Sequence, residues 1–96
     1  MTDKPTVLFK PLENRFELEI DGHTAWLELA PVPGAMAFTH TIVPDALGGR
    51  GIGSQLVRHA LNWAAAEGHK VRPDCSFVAA YIEKHPEYQH LLAQAA

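Results

Sequence analysis

The sequence predicts an α+β fold, in which a mostly antiparallel sheet is covered by a long helix and a second, shorter one. In the first half of the chain, apolar residues recur at every second position, as is typical of strands. In the second half, they recur at steps of three and four residues, as is typical of amphipathic helices. No linker or repeat separates the halves, so we expect residues 1–96 to form a single domain.

The strand predictions rest on alternation and on turn residues. Apolar and charged side chains alternate over residues 16–20, and Asp21 and Gly22 then supply the two-residue turn of a hairpin. Strands are predicted at residues 7–9, 16–20, 25–29 and 35–43, of which the first is only weakly marked. Alternation along the last of these strands predicts that one face carries Met36, Phe38, His40 and Ile42.

The helical spacing begins at Gly51 and runs to Gly68, a residue type that commonly ends helices. A short strand is predicted at residues 70–72. Ser76 is then expected to cap a second helix that Pro86 ends, with residues 86–92 adding one more turn. The side chains of this second helix that we expect to point inward are Phe77, Val78, Tyr81 and Ile82.

Composition excludes several functional classes. The longest apolar run, residues 77–82, is far shorter than the roughly 20 residues that cross a bilayer. The first residues show no leader pattern, and the single cysteine, Cys75, cannot form an internal disulfide, so we expect a cytoplasmic protein. A formal charge of −3 argues against nucleic acid as the main partner, and a monomer is the default expectation.

The segment before the long helix carries the clearest functional signal. Residues 48–53 contain four glycines, directly before the predicted helix. Glycine lets a backbone approach a phosphate closely, and the first N–H groups of a helix attract anions. A tight strand-to-helix turn is the alternative explanation, but one glycine would satisfy it. The pattern therefore favours a phosphate-binding loop.

Two common phosphate-binding motifs do not fit this loop. The dinucleotide pattern G-x-G-x-x-G is absent, and hairpins precede the loop in place of a βαβ unit, which argues against a nicotinamide or flavin site. The lysine and hydroxyl residue of a P-loop are also missing, which argues against a nucleoside triphosphatase.

Taken together, the strand ending near Pro44, the glycine-rich loop and the long helix resemble the Gcn5-related N-acetyltransferases. The loop pattern of that family, Arg/Gln-x-x-Gly-x-Gly/Ala, is matched at Gly51 and Gly53 but has Gly48 at its first position. Segments 38–44, 71–77 and 81–88 are similar to a small, minimal branch of the superfamily, and the resemblance extends from about residue 16 to residue 92. The departure at Gly48 removes a side chain and leaves the amide in place.

The resemblance implies that the protein binds acetyl-coenzyme A or coenzyme A. Loop amides would hold the pyrophosphate, and the edge of the strand ending at Val43 would pair with the pantetheine arm. The implied coenzyme-binding residues are Ile42, Val43, Gly48, Gly49, Arg50, Gly51, Ile52, Gly53 and Ser54. By itself, Arg50 is equally well explained as a solvated side chain.

The resemblance also implies Cys75 and His40 as the catalytic pair, because the small branch has a cysteine and a histidine at these positions. Cys75 precedes a predicted helix, whose N-terminus would lower the pKa of the thiol. A buried filler role for Cys75 and a packed, structural role for His40 are the alternatives. The other histidines lack the helical spacing of a metal pair, and we expect no metal site.

Two functions are therefore open. One is an N-acetyltransferase that moves acetyl from acetyl-coenzyme A to an amine whose identity the sequence leaves open. The other is a coenzyme-binding module, acting as a sensor or protein-interaction domain, in which transfer is weak or lost.

Overall fold

The computed structural model describes residues 6–93, which form a five-stranded sheet and two α-helices. Two short 3-10 segments, Pro11–Glu13 and Asp45–Leu47, lie between these elements, and a third, Pro86–Leu91, follows the second helix. The strands and helices are, in chain order, β1 (Val7–Lys10), β2 (Arg15–Ile20), β3 (His23–Val32), β4 (Ala35–Ile42), α1 (Ile52–Glu67), β5 (Val71–Pro73) and α2 (Ser76–Lys84). Within this part of the chain, no helix has the length and apolar character needed to span a membrane.

The strands lie side by side in chain order. Each of the first three strands pairs with the next in antiparallel fashion, whereas β4 and β5 are parallel and are connected through α1. A parallel pair needs such a crossover, because its two strands begin at the same edge of the sheet. The predicted α+β class with a mostly antiparallel sheet is confirmed.

The hairpin between β2 and β3 confirms the predicted turn. Asp21 and Gly22 both have positive φ, at 53° and 79°, and Ile20 pairs with His23 across them. The returning strand is longer than predicted, because β3 extends over 10 residues to Val32.

One core lies between the sheet and the helices. Alternate residues of β2 and β3 point into it, where they meet the apolar stripe of α1. The largest side chains that are almost completely buried are Phe16, Phe38, Leu18, Leu27, Leu47, Ile52, Leu56 and Leu61. Among residues 6–93, no polar or charged residue is fully buried.

A β-bulge in β4 overturns one prediction. Glu28 and Leu29 are consecutive on β3, but their partners on β4 are His40 and Phe38, so Thr39 is an extra residue. The extra residue reverses which face the following side chains occupy. Phe38 is buried, whereas His40 and Ile42 are exposed. The prediction that these three side chains share one face was therefore wrong.

The helices agree with the predictions at the end of α1 and differ from them in two features of α2. Gly68 ends α1 in the left-handed conformation (φ 77°), as predicted, and its N–H bonds to the carbonyls of Ala64 and Ala65. At the start of α2, however, Cys75 is the N-cap and Ser76 is already helical. Phe77 was expected in the core but is 43% exposed.

Candidate functional site

The glycine-rich loop lies between β4 and α1 and is anchored by one apolar side chain. Leu47, in the 3-10 segment just before the glycines, is 1% exposed. Gly51 is the N-cap of α1 and has φ 71°, in the left-handed region that favours glycine. A Cβ atom at this position would meet no atom within 4 Å. The loop is therefore held to the core from one side and is open on the other.

The N-terminus of α1 opens onto this loop. Gln55 donates its N–H to the carbonyl of Gly51 at 3.1 Å. The N–H groups of Ile52, Gly53 and Ser54 come before that bond and have no partner inside the helix. The first turn of α1 contains no acidic side chain. These amides, together with the helix dipole, make the loop suitable for an anion.

Gly53 is needed because α2 passes very close to it. A Cβ atom at Gly53 would lie 2.9 Å from Cζ of Phe77, which is closer than such contacts allow. The half-exposed ring of Phe77 thereby becomes one wall of a cavity of about 370 Å³ in front of the loop. The cavity is lined by Val43, Pro44, Asp45, Leu47, Gly48, Gly49, Gly51, Ile52, Gly53, Ser54 and Phe77.

The strands β4 and β5 separate next to this cavity. β5 pairs only with residues 36–38 of β4, and the N–H of Cys75 then bonds to the carbonyl of Phe38 at 2.9 Å. Beyond that point the chain turns into α2, while β4 continues to Ile42. Within residues 6–93, the last part of β4 thus has a strand partner on one side only, which leaves a backbone edge beside the cavity.

Cys75 lies at the point where the two strands separate. Its Sγ atom is 3.5 Å from Oγ1 of Thr41, and the residue is partly buried. Burial is the largest single influence on the pKa of the Cys75 thiol, and on its own it would raise that pKa. Hydrogen bonds from the Thr41 hydroxyl and from the N–H groups of Val78, Phe77 and Thr41 outweigh burial, so that the pKa is lowered. The first turn of α2 therefore favours the thiolate.

His40 lies on the opposite side of the sheet from this thiol. His40 and Thr41 are consecutive after the bulge, so their side chains leave the strand on opposite faces. Thr41 pairs with the buried Leu27 and faces the helices, whereas His40 is exposed opposite Glu28. The structure brings Cys75 together with Thr41 and does not bring it together with His40.

The other predicted site residues divide into two groups. Seven of them line the cavity, namely Val43, Gly48, Gly49, Gly51, Ile52, Gly53 and Ser54. Ile42 is 40% exposed and Arg50 is paired with Asp21 at 3.1 Å, and neither lines the cavity. Within residues 6–93, no group of three or more His, Cys, Asp or Glu side chains could hold a metal ion.

Sequence reasoning missed two residues of the site. The apolar spacing of α2 predicts that Phe77 lies in the core, and Thr41 falls within the predicted strand at residues 35–43 without any sign of a role in the site. A signal for Phe77 was present in Gly53, because a glycine in the first turn of a good helix indicates a close neighbour. No sequence signal indicated Thr41, because the bulge that turns it toward Cys75 is a tertiary feature.

Comparisons with known proteins agree with this architecture. A family model described as GCN5-related N-acetyl-transferase matches residues 15–91. Protein NATD1 from Gallus gallus is 38% identical over 52 residues, which cover 54% of this chain and 47% of that protein. Protein NATD1 from Homo sapiens is also 38% identical over 52 residues. The matched segment thus spans about half the length of these curated relatives.

A solved structure extends the similarity to nearly all of the chain. The NMR solution structure of a GCN5-like protein from Staphylococcus aureus superimposes with a TM-score of 0.73 at 26% sequence identity. The superposition covers 95% of this chain and 90% of that one.

Proposed function

Because the chain belongs to the GCN5-related N-acetyltransferase family, we propose that it binds acetyl-coenzyme A at the glycine-rich loop and transfers the acetyl group to an amine. The observation that carries this proposal is the cavity in front of the loop, onto which the first amides of α1 open. Both the glycine backbone and the helix dipole suit a pyrophosphate there.

The residues around the cavity fit the coenzyme. The amides of residues 51–54 would bind the pyrophosphate, with the loop glycines allowing close approach. The free backbone edge at Ile42, the last residue of β4, and at the following Val43 would pair with the amides of the pantetheine arm, as a strand edge pairs with an extended peptide. This arm would then lead toward the point where β4 and β5 separate, which is where Cys75 lies.

Cys75 is the proposed nucleophile. When bound, acetyl-coenzyme A supplies the acetyl group as a thioester. The Cys75 thiolate would attack the carbonyl carbon, a new C–S bond would form, and coenzyme A would leave as its thiolate. An amine would then attack the acetyl group on Cys75, the cysteine would leave as thiolate, and the proton lost by the amine would be taken up by the coenzyme thiolate. The N–H groups of Phe77 and Val78, together with the Thr41 hydroxyl, stabilise the thiolate.

The role of His40 as the base in this reaction is still a prediction. As a base for the amine, it would have to accept the proton on the sheet face opposite Thr41. This separation specifically favours a second candidate function, a coenzyme-binding module with weak or no transfer. Both functions need the loop, and only the first needs a reactive Cys75.

Calorimetric titration with acetyl-coenzyme A tests binding, with two glycine variants as a matched pair. Gly51 and Gly68 have nearly the same positive φ, 71° and 77°, so that a glutamate strains both backbones similarly. Only Gly51→Glu places a negative charge at the loop. We expect saturable binding by the wild type and by Gly68→Glu, and its loss in Gly51→Glu. Binding that survives in Gly51→Glu, or no binding by the wild type, would overturn the proposal.

Mass spectrometry of the same samples distinguishes the two functions. After incubation with acetyl-coenzyme A, the enzyme should carry one acetyl group on Cys75, and an added amine should remove it. The Cys75→Ser variant controls for acetylation elsewhere in the chain. Intact coenzyme binding without acetyl on Cys75 would favour the binding module.

A further inference from the structure

The strand β1 forms one edge of the sheet and exposes apolar side chains there. It pairs with β2 in an unbroken antiparallel register, and within residues 6–93 no strand lies on its other side. Its two middle residues, Leu8 and Phe9, are 53% and 39% exposed. Edge strands are usually protected from further pairing by charged residues, a proline or a bulge. The middle of β1 has none of these, so its open edge is suited to pairing with another strand.

The exposed ring of Phe9 is held in a fixed position beside a groove. The ring stacks on Phe16 with the centroids 4.7 Å apart, and it leans against Trp63 at 5.0 Å. Val7 faces the same side of the sheet as Phe9, because the two pair with the buried Leu18 and Phe16. Val7 also lines a groove of about 500 Å³ between β1 and α1. The edge therefore presents a rigid aromatic side chain next to a groove.

We propose that the chain forms a homodimer, in which the β1 strands of two copies pair in antiparallel fashion about a two-fold axis at Leu8. Leu8 then lies opposite Leu8 of the second copy, on the open face of the sheet that the helices leave uncovered. On the helix side, Phe9 lies opposite Val7 of the second copy, at the mouth of its groove. An axis at Phe9 would instead place Lys10 opposite Leu8, and Pro11, which has no N–H, opposite Val7.

The charges beside β1 favour a second copy as the partner. Lys10 lies on the open face directly opposite Arg15 of β2, a like charge, and it belongs to none of the ion pairs found within residues 6–93. In the dimer, Lys10 lies opposite Thr6 of the second copy, and the β1–β2 register, continued by one residue, places Glu19 beside Thr6. Two strand spacings, about 10 Å, separate the backbones of Lys10 and that Glu19. The two side chains can span this distance across a small threonine, and the axis forms the pair twice.

The proposed interface is small, because β1 has only four residues, so the dimer should be weak and its mass should depend on concentration. An interface of this kind uses the same surface of both subunits and needs no partner other than the chain itself. None of the residues that line the loop cavity belongs to β1. The inference therefore does not rest on the proposed function, and it takes the place of the monomer that the sequence gave no reason to doubt.

Sedimentation equilibrium at protein concentrations from about 10 μM to about 1 mM tests the pairing. We expect the wild-type mass to rise from one chain toward two. Leu8→Lys and Leu8→Asp each place like charges on the axis and should weaken the dimer about tenfold or more. An equimolar mixture of the two should dimerise more tightly than either variant alone, because opposite charges then meet. Ile42→Lys, on the same open face but on β4, is the control and should dimerise as the wild type does.

The charge pair checks the register independently. Lys10→Glu and Glu19→Lys should each weaken the dimer about three- to tenfold, the range of two exposed ion pairs, and the double variant should restore it. A double variant that dimerises no better than the single ones would overturn the axis at Leu8.

Three other results would also overturn the inference. One is a wild type that remains a single chain up to about 1 mM. Another is a Leu8→Lys variant that dimerises like the wild type, or a mixture with Leu8→Asp that is no tighter than its components. The third is dissociation by Ile42→Lys as strong as that by Leu8→Lys, because the open face and not the edge would then be the interface.

Discussion

The Cys75 thiol owes its chemical character to one neighbour that is distant in the sequence and to two that are close to it. Thr41 comes from β4, 34 residues earlier, while Phe77 and Val78 belong to the first turn of the helix that Cys75 caps. Burial alone would raise the pKa of this thiol, and the hydrogen bonds reverse the direction. A partly accessible thiol with a lowered pKa is what a nucleophile at neutral pH requires.

Replacing Thr41 by valine tests this account of the thiol. Valine keeps the shape of the side chain but removes the hydroxyl that stabilises the thiolate, so the pKa of Cys75 should rise. Alkylation by iodoacetamide, followed against pH, should then show its midpoint at higher pH than in the wild type, with slower reaction at pH 7. Thr24→Val, on the other face of the sheet, is the control and should leave the midpoint unchanged. A midpoint that Thr41→Val does not move would exclude the hydroxyl as a cause of the lowered pKa.

The sign of this shift also links Cys75 to stability. Because the pKa of the thiol is lower in the folded state than in the unfolded chain, the thiolate favours folding. That contribution is present above the unfolded pKa and is lost as pH falls through the folded pKa.

The helix α1 connects the loop to the core, because its inner side chains are fully buried while its first amides face the cavity. Leu56 has no exposed surface and lies one turn into the helix. The position of the loop therefore depends on how this stripe packs against the sheet.

Truncating Leu56 to alanine should lower the free energy of unfolding by about 2–5 kcal/mol, since it leaves a cavity in a packed core. Leu12 is the matched control, because it is 98% exposed in the Pro11–Glu13 segment. Leu12→Ala should change stability by less than about 0.5 kcal/mol. Urea denaturation measures both variants. A small effect at Leu56 would mean that α1 is not packed as described.

The order and type of the strands and helices could be predicted from the sequence, because each has its own apolar period and is bounded by residues that favour turns or helix ends. Asp21 and Gly22 mark a turn, and Gly68 marks a helix end, through backbone conformations that the residues themselves prefer. The bulge at Thr39 has no such local mark, because it arises from pairing with β3. Its consequence is that sequence reasoning placed His40 on the wrong face.

The candidate site was only partly predictable for the same reason. The glycine-rich loop is continuous in sequence, and it was recognised by its composition and position. Phe77 and Thr41 enter the site through contacts between separate elements, and α2 presents Phe77 outward although its position fits the apolar spacing.

In the part of the chain that the structure describes, the core and the cavity are built from the same elements. Residues from β4, the loop, α1 and α2 all line the cavity, and the same elements bury the core between sheet and helices. A ligand bound in this cavity would contact elements that separate on unfolding, and it would therefore stabilise the folded state by mass action. Coenzyme binding is the claim on which both candidate functions depend.

The most direct measurement is an NMR titration of uniformly ¹⁵N-labelled protein with coenzyme A, followed through the backbone amides. We predict saturable shifts at the loop and first turn of α1 (residues 48–54), at Val43 just after β4, and at Cys75. Residues on the open face of the sheet, such as Glu19, should not move. An absence of saturable shifts, or shifts confined to that open face, would contradict the placement of the coenzyme in the cavity.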